Sequence, residues 1–224
     1  MIKRFCLPFL LAATFSTATY AMDESAARVA ADDFANAISA ATGVIGGLQK
    51  SINSSSVSAG DIEAAAILKT FHSKFNAKAG QTYDVGEAGL IGEYRTALEA
   101  AIKEVMQENH EDILAGGQDA FVPAFFRAQV LEKVNEAMAG KIAGYVTTNE
   151  DQLINGDSAV DVVMDGSPLA AEVAKLLSQH RADKLQQTLS GHLMTYSPMK
   201  LKQSCVACHA RNGLEQQVGG FGGA

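Results

Sequence analysis

This sequence has few cysteines, no long apolar run after its amino-terminal segment, and no excess of basic residues. Its 224 residues include three cysteines, and only Cys205 and Cys208 remain if Cys6 belongs to a cleaved leader. Two thiols supply half of the ligands of a closed structural zinc site, so a zinc fold is disfavoured. No run after the leader reaches the roughly 20 apolar residues that a membrane-spanning helix needs. The formal net charge of -7 argues against nucleic acid and anionic lipid as partners.

The amino terminus has the features of a secretory signal peptide. A basic pair, Lys3-Arg4, precedes an apolar stretch from Phe5 to Phe15, and Thr19-Tyr20-Ala21 offers small residues before a cleavage site. We expect residues 1–21 to be removed, so that the mature chain begins at Met22 and is periplasmic. The apolar stretch is too short for a retained membrane anchor. Loss of the basic pair changes the formal charge from -7 to -9.

Near the carboxyl end the chain reads Cys205-Val206-Ala207-Cys208-His209. Two thiols three positions apart can each add to one vinyl group of a haem, and the adjoining histidine is then held under the iron. This is the pattern of c-type haem attachment. A zinc knuckle lacks further cysteines here, and a redox dithiol has no use for the adjoining histidine. The motif predicts one covalently bound haem c per chain, tethered by Cys205 and Cys208 with His209 as the proximal iron ligand.

The first half of the chain has the periodicity of amphipathic helices. Leu68, Phe71 and Phe75, for example, fall on one stripe of a helix. A Ser-rich linker covers Ser51 to Gly60, and Ser58 with Asp61 resembles a capping box. One predicted helix runs from Met22 to about Lys50 and is weakened by Gly43, Gly46 and Gly47. The other predicted helices run from the Ser58 cap to about Ala79, from about Glu87 to His110, and from Pro123 to Gly140.

Beyond Gly140 the pattern changes to short segments rich in β-branched and aromatic residues. Lys141 to Thr148, Asp161 to Met164 and His192 to Tyr196 are predicted strands. A helix is predicted between the second and third of these strands. It begins at Ser167-Pro168 and includes Leu185. The chain is therefore expected to comprise a mainly helical region over 22–118 and a mixed region over 119–224, joined in one compact α+β domain.

Several motifs in order resemble the periplasmic single c-type haem, PAS-like sensor-domain family. They are Phe121-Val122-Pro123-Ala124-Phe125-Phe126, Tyr196-Ser197-Pro198-Met199, the haem motif, and the glycine-rich stretch from Gly219 to Ala224. The resemblance implies long amino-terminal helices packed on a small antiparallel PAS-like sheet, with 119–224 as the haem region. A competing architecture is the four-helix cytochrome c′ type. In that type the last helix continues past the haem histidine, whereas Asn212-Gly213 predicts a turn here.

The sixth iron position decides between functions. Some members of the family that the chain resembles use a cysteine from an amino-terminal helix there, and the mature chain is expected to have none to give. His72 ranks first as a candidate distal ligand, because it lies at the edge of the stripe of Leu68 and Phe75, where an imidazole needs a partner. An open or water-bound iron ranks second. Third are the residues near the motif, His192, Met194 and Met199. His110 is expected to close a helix, where a cation favours the dipole.

The sequence thus predicts a periplasmic monohaem c-type cytochrome that transfers one electron through Fe(III)/Fe(II). A haem-based redox or gas sensor is the first alternative, and reduction of a small molecule at an open iron is the second. No Ser-His-Asp arrangement, phosphate-binding glycine loop or carboxylate pair demands catalysis, so an enzyme is the less favoured class. An acidic surface would suit a basic redox partner protein. Oligomeric state does not follow from the residues.

Overall fold

In the computed structural model the chain is mainly helical. The structure describes residues 23–117, 120–139, 141–144, 184–189, 192–196 and 206. The predicted α+β class, with helices packed on an antiparallel PAS-like sheet, is wrong for these residues, because their helices pack on one another. The described elements are α1 (Glu24–Asn53), α2 (Ala59–Ile62), α3 (Ala64–Ala79), α4 (Leu90–Glu108), α5 (His110–Ala115), α6 (Pro123–Ala137), β1 (Leu185–Leu189) and β2 (His192–Tyr196).

The four long helices α1, α3, α4 and α6 form a closed ring of neighbours. Helix α1 packs on α3, α3 on α4, α4 on α6, and α6 returns to α1. Helices α1 and α3 run in opposite directions, since Lys78 Nζ donates to Ser39 Oγ at 2.6 Å while Gly43 faces the side chain of Lys74. The arrangement is an antiparallel four-helix bundle, which buries one apolar stripe of each helix in a shared core.

Polar contacts show the same antiparallel order where α6 meets α4. Lys133 Nζ donates to Glu104 at 2.6 Å and to Glu108 at 2.9 Å, and Asn109 donates to Gln129 one turn earlier on α6. Helix α6 belongs to the predicted mixed region, yet it completes the same bundle as the helices of the first region.

The core of the bundle is aromatic and aliphatic. Phe71, Phe75, Tyr94, Leu98 and Ile102 are completely buried, as their helical spacing predicts. Burial of one such side chain contributes about 1.5–3 kcal/mol, so the bundle is stabilised mainly by this apolar interior. Phe71 and Phe75 meet the ring of Tyr83 edge-on, at 4.6 and 5.0 Å between centroids.

The helix ends agree with the local signals of the sequence. Ser58 and Asp61 form the predicted capping box, in which each side chain accepts a hydrogen bond from the other's backbone N–H. Gly80 ends α3 in the left-handed conformation, at φ 69°, and Pro123 is the first residue of α6. Contrary to expectation, the helix predicted to run on to Ala79 is broken at Glu63, and His110 begins α5 instead of closing α4.

Residues 141–144 do not form the start of the predicted strand Lys141 to Thr148. The side-chain amide of Asn135 donates to Gly144 O at 2.9 Å and accepts from Gly144 N at 2.8 Å. Both backbone groups that would pair with a neighbouring strand are therefore used by one side chain. Gly144 also lies so close to the core that an added Cβ would be 2.7 Å from Leu131 Cδ2. Residues 145–148 lie outside the described residues, as do the predicted strand from Asp161 to Met164 and the helix start at Ser167-Pro168.

The hairpin of β1 and β2 is the only sheet among the described residues. Its strands are antiparallel, and Gln186 pairs with Thr195 while Leu189 pairs with His192. The predicted strand His192–Tyr196 is confirmed with the same bounds. The prediction of a helix that includes Leu185 is wrong, because Leu185 begins β1. Two strands are too few to serve as the layer on which the helices pack.

No helix within the described ranges is long and apolar enough to cross a membrane.

Candidate functional site

The residues predicted to hold the haem, Cys205, Cys208 and His209, lie outside the described residues. The structure does place the strand that leads to them. Strand β2 ends at Tyr196, nine positions before Cys205. The β1–β2 hairpin is thus the last described pair of strands before the haem motif in the sequence.

A glutamine clamp attaches this hairpin to the amino-terminal part of α1. Gln186 donates through Nε2 to the carboxylate of Asp32 and to Thr195 Oγ1, the latter at 3.2 Å, and its Oε1 accepts from Arg28 Nη1 at 3.3 Å. Lys184 adds an ion pair with Asp32. Both groups of the Gln186 amide are satisfied, and each belongs to a contact between segments more than 150 residues apart in the chain.

His72 lies on α3 at the interface with α4, and its imidazole has a partner. Its Nε2 is 2.8 Å from Glu99 Oε1, and its ring stacks on Tyr83 with 5.0 Å between centroids and an interplanar angle of 24°. The side chain is 37% exposed. The need for a partner, which suggested iron at this residue, is met by the Glu99 carboxylate. Iron ligation by His72 stays a prediction, and through Nε2 it requires the bond to Glu99 to break.

A buried ionic network lies between α1, α4 and the segment that joins α3 to α4. Arg95 donates through Nε to Asp33 Oδ2 at 3.1 Å and through Nη2 to Asp33 Oδ1 at 2.8 Å. Its Nη1 donates to Glu87 at 2.6 Å and to Asp84 O at 3.1 Å, and Gln81 donates to the same carboxylate of Asp33. The side chains of Arg95 and Asp33 are 1% and 3% exposed. Such a pair is favourable only because its hydrogen bonds are nearly all made.

Sequence reasoning missed this network, although a signal was present. Asp33 adjoins Phe34 on the apolar stripe of α1, and Arg95 adjoins Tyr94 on that of α4. Charged residues at inward positions of two helices predict that they pair if the helices are neighbours. That α1 and α4 are neighbours became known only from the fold.

The fold opposes the ionisation of Tyr83, which lies beside this network. Burial raises the pKa of Tyr83 well above its ordinary value, with a smaller contribution from the negative charge of Glu99. Its hydroxyl donates to Arg95 O at 3.1 Å, and the Arg95 guanidinium lies 5.0 Å from its ring centroid. On α6, burial lowers the pKa of Arg127 to about 10.

The remaining candidate ligands divide between described and undescribed parts. His110 lines a mainly apolar cavity of about 360 Å³, together with Ile62 and Met106. His192 and Met194 belong to β2, but their side chains lie outside the described part, as does Met199. Within the described ranges, no group of three or more His, Cys, Asp or Glu residues is arranged to hold a metal ion.

Comparison with known proteins adds no further constraint, because no family model, curated protein or solved structure matches the chain.

Proposed function

We propose that this protein is a periplasmic monohaem c-type cytochrome that transfers single electrons. The observation that carries the proposal is the motif Cys205-Val206-Ala207-Cys208-His209, in which two thiols and an imidazole have the spacing of covalent haem attachment. The predicted signal peptide over residues 1–21 supports it independently, because c-type haem is attached outside the bacterial cytoplasm. The resemblance to the single-haem family stays a prediction. The sheet-based fold that this resemblance implied is not part of the proposal, because the described residues form a helical bundle.

The residues of the chain have distinct roles in this proposal. Cys205 and Cys208 would hold the porphyrin through thioether bonds, and His209 would supply the proximal iron ligand. The second ring nitrogen of His209 would donate to a backbone carbonyl or water, which would fix the tautomer of the imidazole. The bound haem supplies the one-electron Fe(III)/Fe(II) couple. The clamp of Gln186 on Arg28 and Asp32 is compatible with this role, since it holds on the bundle the β1–β2 hairpin, which precedes the haem motif in the sequence.

Covalent attachment is the direct test. Thioether-bound haem remains with the polypeptide in acidified acetone, so the purified mature protein should keep its haem absorbance after extraction. The double substitution Cys205→Ala with Cys208→Ala should remove it. Cys6→Ala is the matched control, because that residue leaves with the leader and the haem content should not change. Extractable haem, or no haem, in the unaltered protein contradicts the proposal.

Carbon monoxide separates electron transfer from the two alternatives. A six-coordinate electron carrier binds carbon monoxide slowly or not at all, because its sixth position is filled. Rapid uptake by the reduced protein would instead indicate an open iron and favour gas sensing or reduction of a small molecule. The measurement is the visible spectrum of the reduced protein before and after addition of the gas.

A further inference from the structure

One face of α1 carries a charged side chain at every fourth position near its amino-terminal end. Glu24, Arg28 and Asp32 have this spacing, so they form a row along the helix. Arg28 donates to Glu24 through Nε at 3.2 Å and through Nη2 at 2.6 Å, while its Nη1 donates to Gln186 Oε1 at 3.3 Å. The row is therefore ordered by its own ion pair, and the β1–β2 hairpin docks on its second and third members.

One carboxylate of this row holds two side chains of the hairpin segment. Asp32 Oδ1 accepts from Lys184 Nζ, directly before β1, and from Gln186 Nε2, on β1. Among the described residues, the hydrogen bonds and ion pairs between this segment and the bundle end at Arg28 and Asp32. Loss of the Asp32 carboxylate therefore removes two of these three side-chain contacts and leaves the one to Arg28.

The contacts of the hairpin are open to solvent. The side chains of Asp32 and Lys184 are 48% and 45% exposed. Leu185 and Leu193, the half-buried leucines of the hairpin, are not members of the bundle's core cluster. Charges that keep their water attract each other weakly, and dissolved salt screens them further. The described contacts thus hold the hairpin much less strongly than the apolar core holds the helices together.

We infer that the β1–β2 hairpin is a strap that opens from α1 while the helical bundle stays folded, and that ionic strength controls the opening. In the closed state Lys184 and Gln186 contact Asp32. Salt weakens these contacts, and in the open state Arg28 and Asp32 face water. Weakly held elements open before a buried core does, so this motion precedes global unfolding. The inference goes beyond the proposed function and does not depend on haem.

Hydrogen exchange measured by mass spectrometry tests the strap on the purified mature protein. Because a two-stranded hairpin without a packing partner is marginally stable, the open strap should exchange its backbone amides. A peptide over residues 184–196 reports on the strap, and one over residues 90–108 reports on α4 in the bundle. The Debye length falls from about 30 Å at 0.01 M salt to about 3 Å at 1 M. We expect the strap amides to exchange several-fold faster at the higher concentration, while the α4 amides keep their rates.

A pair of matched variants tests whether Asp32 holds the strap. Asp32→Ala removes the acceptor of both hairpin side chains, so the strap amides should exchange about tenfold faster at low salt. Most of the salt dependence should disappear with the charge. Glu104→Ala is the control, because it breaks an exposed ion pair with Lys133 that lies within the bundle. Its strap amides should exchange as in the parent.

Three outcomes would overturn the inference. If the strap and α4 amides exchange at equal rates in every condition, the hairpin opens only when the bundle unfolds. If the strap exchanges faster than α4 but neither salt nor Asp32→Ala changes its rate, ionic contacts do not control it. If Asp32→Ala accelerates the α4 amides equally, Asp32 supports the bundle and not the strap. The proposed function is judged separately by haem extraction, since exchange rates in the strap do not depend on whether haem is attached covalently.

Discussion

Two adjacent aspartates of α1 should differ greatly in their contribution to stability. Asp33 is 3% exposed and pairs with Arg95, which is 1% exposed, whereas Asp32 is 48% exposed and pairs with Lys184, which is 45% exposed. Replacement of Asp33 by Ala leaves a buried guanidinium with Glu87 as its one remaining ionic partner among the described residues. Loss of one partner of a buried ion pair costs about 3–5 kcal/mol. Asp32→Ala should cost about 0–1 kcal/mol, as for other exposed pairs.

The assay is urea unfolding followed by far-ultraviolet circular dichroism. With a denaturant slope of about 2 kcal/mol per M, the Asp33→Ala variant should unfold about 2 M urea earlier than the parent. This loss is a large part of the roughly 5–15 kcal/mol that stabilises a typical domain. The Asp32→Ala variant should unfold within about 0.5 M of the parent and serves as the matched control.

A double variant tests the cause of the loss. Asp33→Leu combined with Arg95→Met removes both charges and retains apolar volume, so it should be more stable than Asp33→Ala alone. The reasoning is refuted if Asp33→Ala and Asp32→Ala cost the same, or if the double variant is less stable than Asp33→Ala. Either result would mean that the Arg95 guanidinium is not held mainly by Asp33.

Three further predictions follow from single residues. Tyr83→Phe should cost about 1 kcal/mol of unfolding free energy near pH 7, because the hydrogen bond to Arg95 O is lost. The pKa of Tyr83 is raised in the folded state, so above about pH 10 the unfolded parent loses the phenol proton while the folded parent keeps it, and the parent becomes less stable. The difference in unfolding free energy between parent and variant should therefore shrink by about 1.4 kcal/mol per pH unit. His72→Ala should shift the oxidised haem spectrum toward high spin and admit carbon monoxide, with His110→Ala as the unaffected control; an unchanged spectrum assigns the His72 imidazole to Glu99 alone. Amino-terminal sequencing of periplasmic protein should begin at Met22, and an intact leader would contradict export.

Helical periodicity was sufficient to predict the buried apolar stripe of α3. Leu68, Phe71 and Phe75 are buried as expected, because a repeat of three to four residues places them on one face. The predicted helix through Gly43, Gly46 and Gly47 is confirmed, since α1 is continuous across all three. The gain from burying its apolar face exceeds the roughly 1 kcal/mol that each glycine costs.

Pairing over long sequence distances could not be predicted from local patterns. The segment at Lys141 has the composition of a strand, but the fold offers its backbone the side chain of Asn135 instead of a neighbouring strand. Likewise, Asp33 and Arg95 are 62 residues apart, and only the packing of α1 near α4 brings them together. Both outcomes are decided by tertiary contacts, which override composition.

The helical architecture corrects the predicted fold without altering the argument for haem. Attachment requires two thiols at the right spacing and an adjoining imidazole, and these are local properties of residues 205–209. Nor does the bundle favour the cytochrome c′ type, in which the haem histidine belongs to the last helix. Here the four-helix ring is already closed by α6, which ends at Ala137, 68 positions before Cys205. The described bundle is therefore complete before the predicted haem motif in the chain, and the clamp of Gln186 on Arg28 and Asp32 joins the β1–β2 hairpin to it.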